Sequence, residues 1–181
     1  MLVCFDATVL CGALRTPTGH NFRLLELAAA GTVIDGFTTE VAGMEFVRNA
    51  LDGLGGIRFD IETVEEFLDA FGALFAAANI ASSPIGRSLT SQTWLHNRPI
   101  GDVVHHFTGR TRDDLLNDLP EQLRVVAGGF DAYDVHLVAA AAARGADLIC
   151  SANRRHLPEG RLAGTLHVIG PGKLAANLGI A

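Results

Sequence analysis

Four residues carry a side-chain oxygen where a buried element should end. Asp6 follows the apolar run Leu2-Val3-Cys4-Phe5, and Asn153 follows Leu148-Ile149-Cys150 and a short Ser151-Ala152 step. Glu45 lies among Val41, Met44, Phe46 and Val47, and Asp134 stands three residues after Asp131 at the start of another apolar stretch. Carboxylate and amide oxygens are hard donors that suit Mg²⁺ or Mn²⁺, whereas zinc takes thiolate and imidazole. One such cation, or two ~4 Å apart, activates water and grips the oxygens of a phosphodiester, so the chemistry on offer is hydrolysis without a protein nucleophile.

Each residue alone has a plainer explanation. Aspartate after a strand commonly bonds the turn that follows, and asparagine tolerates loop geometry. An acid at the third helical position complements the helix dipole and can complete a capping box with Asp131. Glu45 could be a solvated edge residue. Together they mean more, because two strand ends and a helix N-terminus all belong to the carboxyl-end rim of one sheet, where α/β proteins bind ligands. Acids ~5 Å apart repel by roughly 3 kcal/mol at an effective dielectric of ~20, a conflict that a cation removes.

The elements that must position them read as follows. Leu2–Phe5 and Leu148–Cys150 are buried parallel strands. Between them, Thr18 to Ala30 is a crossover helix ending at Gly31, Thr32–Phe37 a second strand, and Thr38 or Thr39 the N-cap of a helix to about Asp52. Val64, Phe67, Leu68, Phe71, Leu74, Phe75 and Ala78 repeat at helical spacing and predict one helix from Glu62 to Asn79. Pro84, Pro99 and several glycines break the stretch from Ser82 to Pro120 into short pieces such as Asp113 to Leu119. Asp131 to Ala143 is a helix, Leu166–Ile169 a last strand, and Pro171 starts a terminal helix. Alternating strands and helices imply a parallel sheet.

Composition bounds the rest. With 181 residues, 49% hydrophobic and 19% charged, the chain reads as one soluble domain, and a cytoplasmic one, since no apolar run is long enough to span a membrane and no basic, apolar leader opens it. The formal net charge of −6 argues against coating nucleic acid by bulk electrostatics but leaves room for local basic groups. Arg15, Arg154 and Arg155 fall in loops bordering the rim and are candidates for gripping phosphates. Cys4, Cys11 and Cys150 show no zinc spacing, and adjacent His105 and His106 turn to different helix faces. His136, two residues past Asp134, faces away from that carboxylate and reads as packing or as an indirect support of the site.

With these residues in place, the chain resembles the PIN-domain family of metal-dependent ribonucleases, in particular the VapC-like toxins of bacterial toxin–antitoxin pairs. LVCFDATVL is similar to the family's opening strand and first acid, and TTEVAGMEFVRNAL to its second-acid helix. DAYDVHLVAAAAARGADLICSANRRHLP resembles the third block, and HVIGPGKLAANL the closing strand, proline and helix. The resemblance implies a three-layer α/β/α PIN-like domain over residues 1–181, with a helical insertion at about 55–122. It implies a Mg²⁺-dependent (or Mn²⁺-dependent) endoribonuclease that uses metal-activated water, forms a homodimer, and is held in check by an antitoxin segment over the acidic pocket. The catalytic positions fall on Asp6, Glu45, Asp134 and Asn153, the metal on the first three, with Thr8, Ser151 and Asp131 in support.

Two positions depart from the family pattern. Thr8 stands where asparagine is usual, and Asn153 where a fourth aspartate is usual, so a second metal would be held less tightly. These departures motivate an alternative, a catalytically weakened PIN-fold module that binds RNA or an antitoxin without cutting. A haloacid-dehalogenase-type phosphatase, suggested by Asp6 after a strand and Thr8 two residues on, would need an aspartate at position 8 and a lysine ahead of its last acidic pair. The one lysine, Lys173, lies beyond every candidate acid.

Overall fold

Val3, Cys4 and Phe5 are fully buried, and a strand with no exposed face needs a neighbour on each edge. In the computed structural model, which describes residues 1–76 and 89–180, β1 (Leu2–Phe5) pairs in parallel with β2 (Asp35–Phe37) on one side and β3 (Leu148–Cys150) on the other. β4 (Gly160–Ala163) and β5 (Leu166–Ile169) complete the sheet, in the order β2-β1-β3-β5-β4. Only the edge strand β4 runs antiparallel. This is an α/β fold whose mostly parallel five-stranded sheet is compatible with three α/β/α layers. The chain leaves β1 for β2 and later returns to β1's other edge, so the order reverses at β1 and β3, and their carboxyl ends flank a crevice.

Ten helices are described: α1 (Ala7–Arg15), α2 (His20–Ala30), α3 (Glu40–Asp52), α4 (Ile61–Ala70), α5 (Gly72–Ala76), α6 (Ile100–Thr108), α7 (Arg112–Asp118), α8 (Glu121–Ala127), α9 (Ala132–Ala143) and α10 (Pro171–Asn177). Most fall where periodicity and caps place them. Gly31 closes α2 in the left-handed conformation, the Thr39 hydroxyl accepts the Ala42 N–H at the start of α3, and Pro171 opens α10. α1 packs on α2 and α3, and α9 packs against β1, β3 and α3, so the helices carrying Glu45 and Asp134 meet over the end of β1. Gly36 permits the close contact of α2 with the sheet, because a Cβ there would lie 2.5 Å from the Ala28 methyl and 2.7 Å from the Phe5 ring.

Three expectations need correction. Arg15, expected in a loop, ends a helix instead: α1 begins directly after Asp6, burying Ala7, Val9, Leu10 and Ala13 on one face. The helix expected from Glu62 to Asn79 breaks at Phe71 into α4 and α5, because the turn brings the Leu74 carbonyl to the Thr38 N–H at 3.1 Å. Its last residues, 77–79, with Ala78, lie outside the described residues, as do Ser82 and Pro84. The edge strand β4 was not foreseen, since Gly160-Arg161-Leu162-Ala163 lacks the β-branched and aromatic residues that mark strands. Within 55–122, the described residues form α4 to α7 and a 3₁₀ turn at Thr93–Leu95. No helix among the described residues is long and apolar enough to cross a membrane.

Candidate functional site

The site is assembled by backbone that the sheet has already fixed. The Asp6 N–H donates to the Cys150 carbonyl at 3.0 Å, tying the end of β1 to the end of β3, and the Thr38 hydroxyl donates to the Phe5 carbonyl at 2.9 Å, tying in the exit of β2. Thr8 and Ser151 each donate a hydroxyl hydrogen to Asp6 Oδ2 at 2.6 Å. Both hydroxyls are themselves held, Thr8 by the Ala152 N–H at 3.0 Å and Ser151 by the Asn153 N–H at 2.9 Å. The buried Asp6 carboxylate is therefore oriented from two chain segments.

Asp134 enters from α9. Asp131 caps that helix through the Asp134 N–H at 3.0 Å, but the reciprocal bond that would complete a capping box is not among α9's cap contacts. The Asp134 carboxylate faces the rim instead, where it takes His156 Nδ1 at 2.9 Å on Oδ2 and the Asn153 amide at 3.5 Å on Oδ1. His156 also lies 3.9 Å from Asp131. One ligand atom from each of Asp131, Asp134 and His156 lies within 4.8 Å of the other two, so these three could hold a metal ion. The expected trio of Asp6, Glu45 and Asp134 does not form a group that tight among the described residues; Asp131, expected only in support, belongs to the one that does.

Glu45 and Asp6 line one small cavity with Thr39, Tyr133 and His136. Burial, followed by the charges of Asp6, Asp134 and Asp131, pushes Glu45 from an ordinary 4.5 up to about 8, against the pull of Arg48. Asp134 rises from 3.8 to about 6 through burial and then Asp131 and Asp6, with His156 opposing. Burial raises Asp6 too, although the Ser151 and Thr8 hydroxyls favour its charged form. Burial is the main cause in all three, and the charge of Asp6 adds to it at both Glu45 and Asp134. A divalent cation fits that donor set.

Sequence reasoning missed His156, Arg48 and Tyr133. A signal for the first existed: the Asn153 side-chain oxygen accepts the His156 N–H at 3.4 Å, a turn bond that delivers the imidazole three residues after the strand-end asparagine. Arg48 donates to the Tyr133 hydroxyl at 2.9 Å and to the Arg98 carbonyl at 3.3 Å, bracing α3 against α9. His136 is buried with both ring nitrogens unpartnered, and burial lowers it from 6.5 to about 4.

Of the three arginines, Arg15 borders a cleft that begins at Thr8. Arg154 lies 3.6 Å from Glu159, and Arg155 is exposed with no ion pair among the described residues. A cleft of about 410 Å³ lies between α6, α7 and α9 and reaches His136, which also lines the small cavity with Asp6 and Glu45. No family model, no curated protein and no solved structure matches the chain.

Proposed function

We propose that this chain is a Mg²⁺- or Mn²⁺-dependent endoribonuclease of the PIN-like type, acting in the cytoplasm as the toxin of a toxin–antitoxin pair and working as a homodimer. The observation that supports the reading is the placement of Asp6, Glu45 and Asp134 near the carboxyl ends of β1 and β3, where the charge of Asp6 raises the proton affinity of both Glu45 and Asp134. That combination at a topological switch point suits a cation and an anionic substrate.

Asp131, Asp134 and His156 would hold the cation, and Asp6, just after β1, and Glu45, on α3, would add negative charge close by. When bound, it supplies charge against the scissile phosphate and lowers the proton affinity of water. Asp6, fixed by two hydroxyls, presents its charge in one orientation. Glu45, whose carboxyl holds a proton near neutral pH in the free protein, is placed to take a proton once neighbouring charges are compensated. Asn153 steadies Asp134 through its amide hydrogen, and Arg15 and Arg155 offer guanidinium groups to flanking phosphates.

Purified protein should cleave single-stranded RNA only with Mg²⁺ or Mn²⁺ present, and Asp6→Asn should abolish the cleavage. Cutting that survives both EDTA and the substitution rejects the reading. Co-expression with the product of a small upstream reading frame should suppress it if the toxin assignment holds.

One observation favours the second reading, a module that binds RNA or an antitoxin without cutting. The position where the resemblance implies a fourth acid is the neutral Asn153, and the imidazole of His156 occupies Asp134 Oδ2. In an inert parent, Asn153→Asp should then create metal-dependent cleavage.

A further inference from the structure

Beside the acids lies a second recess that the proposed chemistry leaves unused. An open cleft of about 310 Å³ runs between α1, α2 and α3, and two of its walls, Thr8 and Ala152, are the pair whose hydrogen bond locks Asp6. It therefore starts one side chain away from the candidate reacting centre. Its volume falls within the range of small-molecule sites.

Its chemistry is that of a reader of edges. Asn21 on α2 and Asn49 on α3 each present a carboxamide, a side chain with one acceptor oxygen and two donor hydrogens, which is the set that pairs with nucleobase edges. The Asn21 carbonyl oxygen is buried without a hydrogen-bond partner, so a turn of the side chain that brought it to an incoming N–H would satisfy an acceptor the free protein leaves unpaired. Gly12 makes that placement possible, because a Cβ at this α1 position would overlap the Asn21 amide. Cys11 and Leu54 supply apolar walls for the faces of a flat ring. No aromatic side chain lines the cleft, which leaves the amides, not stacking, to discriminate.

Arg15 stands at the cleft with no ion pair among the described residues, its guanidinium beside Gly55, where a Cβ would come within 3.4 Å of Nη1. On a chain of net charge −6 with acids next door, an unpaired arginine here is a local anchor for a phosphate.

We propose that this cleft seats one unpaired nucleobase of single-stranded RNA beside the phosphodiester presented to the acids, with Asn21 and Asn49 reading its edge and Arg15 holding an adjacent phosphate. The inference rests on the ribonuclease reading and adds to it a source of sequence preference. Bases paired within a duplex hide these edges, so the substrate class is single-stranded.

Fluorescence polarisation with labelled hexamers of rA, rC, rG and rU, with Ca²⁺ as the divalent cation, reads binding independently of cleavage. The parent should favour one base. Asn21→Ala and Asn49→Ala should each weaken the preferred hexamer about tenfold and flatten the ranking, while Arg15→Ala should weaken all four alike. Gly12→Ala, by displacing the Asn21 amide, should copy Asn21→Ala. Asn49 is exposed, so its variant keeps the fold and guards against misreading a collapsed protein. Variants with the parent's affinities and ranking, or a parent that binds all four bases equally, overturn the cleft assignment even if the parent cleaves RNA. A parent that neither binds nor cleaves RNA overturns the ribonuclease reading and the cleft together.

Discussion

Asp6 and Asp134 are buried to the same depth, each 5% exposed, yet they are held in opposite ways. Asp6 takes two short hydroxyl bonds from groups that backbone amides of the β3 exit lock in turn. Asp134 takes one imidazole, 40% exposed, and a long amide contact. The first acid is part of the frame, since nothing near it turns without breaking the β1–β3 junction. The second is exchangeable, because an exposed histidine can swing between binding the carboxylate and sharing a cation with it. A site with one fixed and one adjustable acid orients its substrate from the sheet and accommodates metal loading at α9.

Glu45, which feels both acids, sharpens that contrast most. An acid whose folded pKa lies above its unfolded value adds stability that is full below the unfolded pKa and is lost as pH rises through the folded one. For Glu45 that window runs from 4.5 to about 8. Glu45→Gln should therefore stabilise the cation-free protein by about 4 kcal/mol at pH 8 and leave it nearly unchanged near pH 4. Urea unfolding in EDTA at the two pH values checks this, and equal midpoints at pH 8 would show that the acids do not crowd.

The adjustable end is tested next. His156→Ala should reduce Mn²⁺ affinity about 10- to 100-fold, an effect read by calorimetry, with folding stability in EDTA little changed. If stability fell and cation affinity held, His156 would be a structural partner of Asp134, and the difference between the two acids would vanish.

These contrasts also explain what the sequence could and could not disclose. Strand ends and helix starts were legible because apolar runs, caps and glycines are local signals, and these place Asp6, Asp134 and Asn153 at the ends of elements. α1 escaped because Thr8, Val9 and Gly12 are weak helix formers, and the helix is stabilised by burial of Val9, Leu10 and Ala13 against other elements. The partners of the acids were less legible still. Ser151 reaches Asp6 across 145 positions and His156 reaches Asp134 across 22, distances at which no periodicity operates. His156 shows no ligand spacing along one element, because it arrives on the turn that follows β3.

The smallest effect tests the fixed end. Ser151→Ala removes one of the two hydroxyls on Asp6 and leaves the Asn153 N–H without its acceptor. The expected loss of stability is about 1 to 2 kcal/mol, the ordinary cost of a buried hydrogen bond with one partner deleted. Its pH dependence carries the argument further. The Ser151 hydroxyl favours the charged form of Asp6 against burial, so removing it raises that group's proton affinity further above the ordinary 3.8. By the same linkage the variant's deficit should grow as pH rises through the range where the parent fold releases the Asp6 proton and the variant fold still holds it. A deficit independent of pH would mean that Ser151 acts on the turn at Asn153 alone, and Asp6 would then owe its orientation to Thr8.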